Sequence, residues 1–338
     1  MRAVGYDKAG PISAENALVD FEIPTPEASG HDLLVEIEAV SVNPVDTKVR
    51  TNMAPANGER RVPGFDAAGV VTAVGEAVTL FKPGDEVYYA GSIARPGTNS
   101  EFHLVDERIV GAKPKSLSFA EAAALPLTAI TAYEALFHRL KVDDKVPGAT
   151  QAILITGGAG GVGSIAIQLA KQLTDLIVVT TASRPESAEW VKSLGADHVL
   201  DHTASLAPQY AALGIGAPAF VFSVTASDRH AEDLAEIIAP QGRFAIIDDP
   251  KTGFDVMKFK RKAISIHWEM MFARPVFQTA DMIEQHKLLS HVAQLVDSGK
   301  IRTTLAETFG AINAENLTRA HAAIESGKTR GKIVLEGF

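Results

Sequence analysis

The chain has 338 residues, 46% of them hydrophobic and 22% charged, which supplies apolar material for more than one core and excludes a disordered or fibrous protein. Thirty-two Lys plus Arg against forty-one Asp plus Glu give a formal charge of −9, so the surface as a whole repels a phosphate backbone and nucleic-acid binding is excluded as the main task. There is no cysteine, which removes every disulfide, thiolate nucleophile and cysteine-type zinc site.

No apolar run is long enough for a membrane span, and the opening MRAVGYDKAGP has neither signal-peptide nor transit-peptide character. These features predict a soluble, cytoplasmic protein with no membrane partner. Residues 1–120 read mostly as strands and turns: VGY, then Leu33 to Val42, Ala67 to Gly75 and Asp85 to Gly91, punctuated by Pro24, Pro26, Gly30, Pro44, Pro63-Gly64 and Pro83-Gly84. Ser118-Phe-Ala-Glu121 fits a capping box at the head of an alanine-rich helix. From Gln151 strand and helix patterns alternate: AILIT, a glycine run, SIAIQLAKQL, LIVVTTA, a helix through Trp190, then HVLD, FVFSV, a helix near Asp228 to Ile238, GRFAIID and AISIHWEMM. That order predicts an α/β fold with a doubly wound parallel sheet after a β-rich domain. A long helix from about Ala280 to Ser298 and a closing strand in GKIVLEG follow.

Gly158-Ala159-Gly160-Gly161-Val162-Gly163 sits between the buried strand Ile153 to Thr156 and an amphipathic helix. In that context the GxGxxG spacing indicates a dinucleotide site. Gly158 is expected to permit the tight turn, Gly160 the approach to a pyrophosphate and Gly163 close packing of helix on strand, while the helix N-terminus offers its amides. The next strand ends in Ser183-Arg184-Pro185, with no Asp or Glu at the tip to accept from a ribose 2′-hydroxyl. A hydroxyl and a guanidinium suit a 2′-phosphate, so the cofactor is predicted to be NADP(H).

Ser41-Val-Asn-Pro-Val-Asp-Thr-Lys48, Val62-Pro-Gly-Phe-Asp-Ala-Ala-Gly69, Lys82-Pro-Gly-Asp-Glu-Val87 and Leu125-Pro-Leu-Thr-Ala-Ile-Thr-Ala-Tyr133, together with the glycine run, resemble the quinone oxidoreductase branch of the medium-chain dehydrogenase/reductase superfamily. His267-Trp-Glu-Met-Met-Phe-Ala-Arg-Pro275 resembles the subgroup of zinc-type alcohol dehydrogenase-like proteins. The resemblance implies a GroES-like substrate domain over residues 1–123, a Rossmann domain over 124–271, and a return of 272–338 to the first domain. It also implies a homodimer or homotetramer built through the last Rossmann strand, Ala263 to Trp268. Zinc-dependent members place a Cys where Asn43 stands and a His-Glu pair at Phe65-Asp66, so no metal is expected here. His198 and His202, beside Asp197 and Asp201, read as surface or turn histidines rather than ligands.

Without a Lewis acid, quinones and α,β-unsaturated carbonyls become the expected hydride acceptors, because conjugation spreads the developing charge. An alcohol or aldehyde dehydrogenase and an NADPH-binding sensor with little turnover are the competing readings. Three residues are the catalytic candidates. Asn43 offers an amide donor for the substrate oxygen, or else an Asn-Pro turn cap; Asp46 is placed to orient donors or a water; Thr131 resembles the threonine that lies against the nicotinamide. Lys48 and Arg50 are expected to be solvated, the basic side chains of Gly327 to Lys332 either to reach the cofactor or to be solvated, and Trp268 to be packed in the core.

Overall fold

In the computed structural model, which describes every residue except Asn57, the N-terminal strands follow their alternating pattern. β1 (Arg2–Gly5) pairs antiparallel with β2 (Val19–Glu22). β3 (Asp32–Val42) buries Leu33, Val35 and Ile37 on one face and is then buried continuously from Ala39 to Val42. That change carries its end into the core beside α1 (Pro44–Asn52), where Pro44 loses nothing by lacking an N–H in the first turn. β4 (Asp66–Val74), β5 (Glu86–Tyr89), β6 (Phe102–Asp106) and β7 (Val110–Ala112) follow, all in antiparallel ladders. The capping box forms at α2 (Phe119–Ala123): Ser118 Oγ accepts from the Glu121 amide at 3.2 Å, and Glu121 Oε2 accepts from the Ser118 amide at 2.9 Å. α3 (Pro126–Tyr133) runs on into a π-helical turn, Glu134–Arg139.

The second half alternates as the pattern requires. β8 (Thr150–Ile155), α4 (Gly161–Leu173), β9 (Ile177–Thr181), α5 (Pro185–Ser193), β10 (His198–Leu200), α6 (Leu206–Ala212), β11 (Pro218–Ser223), α7 (Ser227–Ile237), β12 (Arg243–Ile246) and β13 (Ser265–Trp268) succeed one another. The strands form one parallel sheet in the order β10-β9-β8-β11-β12-β13. β8 leads outward to β9 on one side and β11 leads to β12 on the other, so the strand order reverses between β8 and β11, the place where such sheets bind ligands. Leu154, Val179, Val221, Leu234 and Phe244 form the core.

Trp268 is 58% exposed and Met270 51%, whereas Met271 and Phe272 are buried, which corrects the core placement expected for Trp268. β13 is the last strand of the ladder, with no further strand paired to it among the described residues, and Trp268 stands at its end.

The chain then passes through α8 (Ala273–Phe277), α9 (Glu284–Asp297), β14 (Leu305–Thr308), α10 (Ala314–Glu325) and β15 (Lys332–Glu336). β15 enters the first sheet antiparallel to β3, with Ile333 opposite Val42, giving the order β14-β15-β3-β4-β5-β7 with β6 also on β3. Two units result: Met1–Ile130 with Phe272–Phe338, and Thr131–Met271. The first change of unit lies at Ile130 rather than at residue 123, because α2 is tied to the returning chain: Thr303 Oγ1 donates to Glu121 O at 2.8 Å and Thr304 Oγ1 to Ala124 O at 3.0 Å. Among the described residues no helix is long and apolar enough to cross a membrane.

Candidate active site

In the second unit the glycine run leaves β8 through Gly157, whose φ of +66° makes the left-handed turn. The sequence assigned that turn to Gly158. Gly158 is required for another reason: a Cβ there would lie 2.0 Å from Thr180 Oγ1 on β9. A Cβ on Gly163 would meet Gly157 O at 2.4 Å and Gly158 Cα at 2.6 Å, so the first turn of α4 packs closely on the loop rather than on the strand. Gly160 is the N-cap of α4, and a Cβ on it would find no atom nearer than Gly157 O at 3.5 Å, so its outer side is open to an approaching ligand. Ala159 completes the turn, and the amides of Gly161, Val162 and Gly163 in the first turn of α4 have no intrahelical acceptor, as an anion site needs. Ser183 and Arg184 are exposed at the tip of β9, with Arg184 the N-cap of α5. Thr131 is buried on α3, in this same unit.

The first unit holds a dry polar cluster where β3 meets α1. Asn43 donates its backbone N–H to Asp46 Oδ2 at 2.6 Å, so the carboxylate three residues on caps the helix. Asn43 Nδ2 donates to Asp66 Oδ2 at 2.8 Å and to Ser41 O at 3.3 Å, while its Oδ1 accepts from Lys332 Nζ. Lys332 Nζ also donates to Asp66 Oδ2 at 2.9 Å and to Val42 O at 3.1 Å. The Leu127 amide donates to Asp66 Oδ1 at 2.7 Å. Every member is almost fully buried: Asn43, Asp46 and Asp66 at 1% exposure or less, Lys332 at 3%. Burial pushes the Asp46 carboxyl up to about 7 against the pull of the Asn43 amide and Lys332, and its Oδ1 has no protein partner.

The Asn43 side-chain amide is engaged by Asp66, Ser41 and Lys332, and with Asp46 the residue forms a capping box at the head of α1, which is the local capping role expected of an Asn-Pro turn. Asn43 and Asp46 belong to the first unit, and Thr131, the glycine run, Ser183 and Arg184 to the second.

Lys48 is exposed. Arg50 is not: it is 1% exposed, with Nη2 donating to Glu325 Oε1 at 2.5 Å and to Thr51 Oγ1 at 2.9 Å, because the last turn of α1 packs on α10. Lys332 is not either, since β15 inserts beside β3.

The residues at the metal-ligand positions do not fit zinc. Asn43 and Asp66 already hold an ammonium between them, which repels a dication, and the Phe65 ring packs on Phe272 with centroids 4.9 Å apart. Among the described residues no three His, Asp or Glu gather to hold a metal ion, His198 and His202 included. Sequence reasoning also missed Glu269, a charged residue inside an apolar run. It is 5% exposed, accepts from Arg139 Nε at 2.8 Å, and burial together with the nearby Glu134 pushes it up to about 8.

Residues 29–132 match the alcohol dehydrogenase GroES-like domain, and residues 194–335 match a zinc-binding dehydrogenase family. A zinc-type alcohol dehydrogenase-like protein of Staphylococcus aureus is 40% identical over 99% of both chains. The chain belongs to the zinc-type alcohol dehydrogenase-like family of the medium-chain dehydrogenase/reductase superfamily. It is thus an oxidoreductase of that type, although the family's metal has no place in this polar cluster. A crystal structure from Rhizobium etli, of a protein assigned to the zinc-dependent alcohol dehydrogenases, superposes with a TM-score of 0.98 at 64% identity, covering 100% of this chain and 98% of that one. A 2-methylene-furan-3-one reductase of Solanum lycopersicum is 30% identical over 99% of this chain and 79% of its own length.

Proposed function

We propose that this protein is a zinc-independent, NADPH-dependent reductase that delivers hydride to a quinone or an α,β-unsaturated carbonyl. The carrying observation is the ammonium of Lys332 held by Asn43 and Asp66 at the positions where zinc-dependent relatives keep ligands. A substrate that disperses its own developing charge needs least from such a site. The tomato relative supports this class, since its name describes a methylene group next to a ketone. Bound NADPH supplies the hydride. The first-turn amides of α4 bind the pyrophosphate, Ser183 and Arg184 bind the 2′-phosphate, and Thr131 orients the nicotinamide. Asn43 and Asp46 act as positioning residues, fixing the junction of β3 with α1.

The test mixes purified protein with NADPH and a panel of quinones, enals and simple aldehydes while cofactor absorbance is followed. Oxidation by quinones or enals is the expected result. Turnover confined to simple aldehydes, or NADPH binding with no oxidation anywhere in the panel, would overturn it. Arg184→Ala should weaken NADPH binding by about tenfold or more and leave NADH nearly unchanged.

A further inference from the structure

The parallel pairing of β9 with β10 sets Thr181 opposite Leu200, and the Ala182 amide donates to Leu200 O at 2.9 Å. Following both chains outward from that register brings Ser183 and Arg184 alongside Asp201 and His202. α7, which follows β11, carries Arg229 and His230 at its start. Burial first, and then Arg229 and Arg184, hold His202 below the ordinary histidine range, with Asp201 opposing. His230 is lowered by burial, Arg229 and His202, and raised by Asp233 and Asp228. The carboxylates of this neighbourhood have other partners. Asp201 accepts from the Thr203 amide and hydroxyl, Asp233 from Ser205 Oγ and the Leu206 amide, and Asp228 from Thr252. Four basic side chains thus gather at the carboxyl edge of the sheet. An anion is the ligand such a gathering recognises.

We propose that His202 joins Arg184 and Arg229 in gripping the 2′-phosphate of NADPH, and that its protonation makes the preference for NADPH over NADH depend on pH. The inference rests on the NADPH reading above. With the site empty, the two guanidiniums disfavour a charged imidazole. A bound phosphate dianion reverses that field, so His202 takes up one proton from solvent as NADPH binds. NADH brings no phosphate and no uptake. By linkage, NADPH affinity falls as pH rises through the His202 value in the complex.

Calorimetric titrations of wild type and His202→Gln with NADPH and with NADH, in buffers of different ionisation enthalpy between about pH 6 and about pH 8, test this. The phosphate's own titration is common to both proteins, so the difference between them isolates the histidine. Expected are a larger proton uptake with NADPH in wild type than in His202→Gln, and an NADPH affinity that drops several-fold more across the range in wild type. NADH affinity and melting temperature should match between the two, showing that the variant is folded. The same uptake and the same pH slope in both proteins would overturn the role of His202 while leaving NADPH preference standing. Equal binding of NADPH and NADH by wild type at every pH would instead overturn the cofactor reading, and this inference with it.

Discussion

At Gly158 and Gly160 one substitution has two meanings. A methyl group on Gly158 would strike Thr180 Oγ1 at 2.0 Å, so Gly158→Ala must displace the loop or β9 and should lower stability by about 1–3 kcal/mol. On Gly160 the nearest atom would be 3.5 Å away, so Gly160→Ala should leave the melting temperature within a degree or two. If the pyrophosphate approaches this glycine, the same Gly160→Ala should weaken NADPH and NADH alike, by about tenfold or more. Thermal melts and coenzyme titrations on the two variants check this, and unaltered affinity in Gly160→Ala would remove the loop from the cofactor site. The motif was legible because its spacing is local and each glycine answers to a neighbour within a few residues or on the next strand. Gly157 was not, because a positive φ leaves no mark on a sequence already rich in glycine.

The elements show where local pattern stops being informative. Alternating burial and helical spacing made β3, β8, α4 and the parallel sheet readable, and Ser118 with Glu121 declared the start of α2. Lys332 and Asp66 are 266 positions apart, and nothing near either one says that β15 will lie against β3 and carry an ammonium into the core. The glycine-lysine tail reads as solvated or as reaching the cofactor, and Arg50 as solvated, because basic residues are normally outside. The buried pair makes β15 a staple for the end of β3 and for α1 beyond it. Lys332→Met should cost about 3–5 kcal/mol of unfolding free energy, because Asp66 is left charged and dry. Adding Asp66→Asn should recover part of that loss by removing the unpaired charge. Denaturant unfolding of the single and double variants measures the coupling. Additive losses would show that the two side chains stabilise the strand independently.

The whole molecule raises the question of what becomes of the two open edges of the parallel sheet. β10 is three residues long and is flanked by Asp197 and Asp201, so charge and brevity blunt it. β13 has no such protection. It runs Ser-Ile-His-Trp with Ile266 half-buried and Trp268 largely exposed, and Met270 follows it into solvent. An unpaired strand of this kind, bearing a large aromatic residue, is a template for another strand, and a two-fold axis lets a second copy satisfy it with the same strand. We propose on this ground that the protein is a homodimer paired through β13. Light scattering should report about twice the 35.9 kDa chain mass at micromolar concentration. Trp268→Lys places a charge at the proposed seam and removes little from the core of a single chain, since the residue is 58% exposed there. It should therefore shift the mass toward one chain and leave the far-ultraviolet circular dichroism unchanged. A wild-type mass of 35.9 kDa across that range would sink the pairing, and Trp268 would then be an exposed aromatic residue with some other occupant.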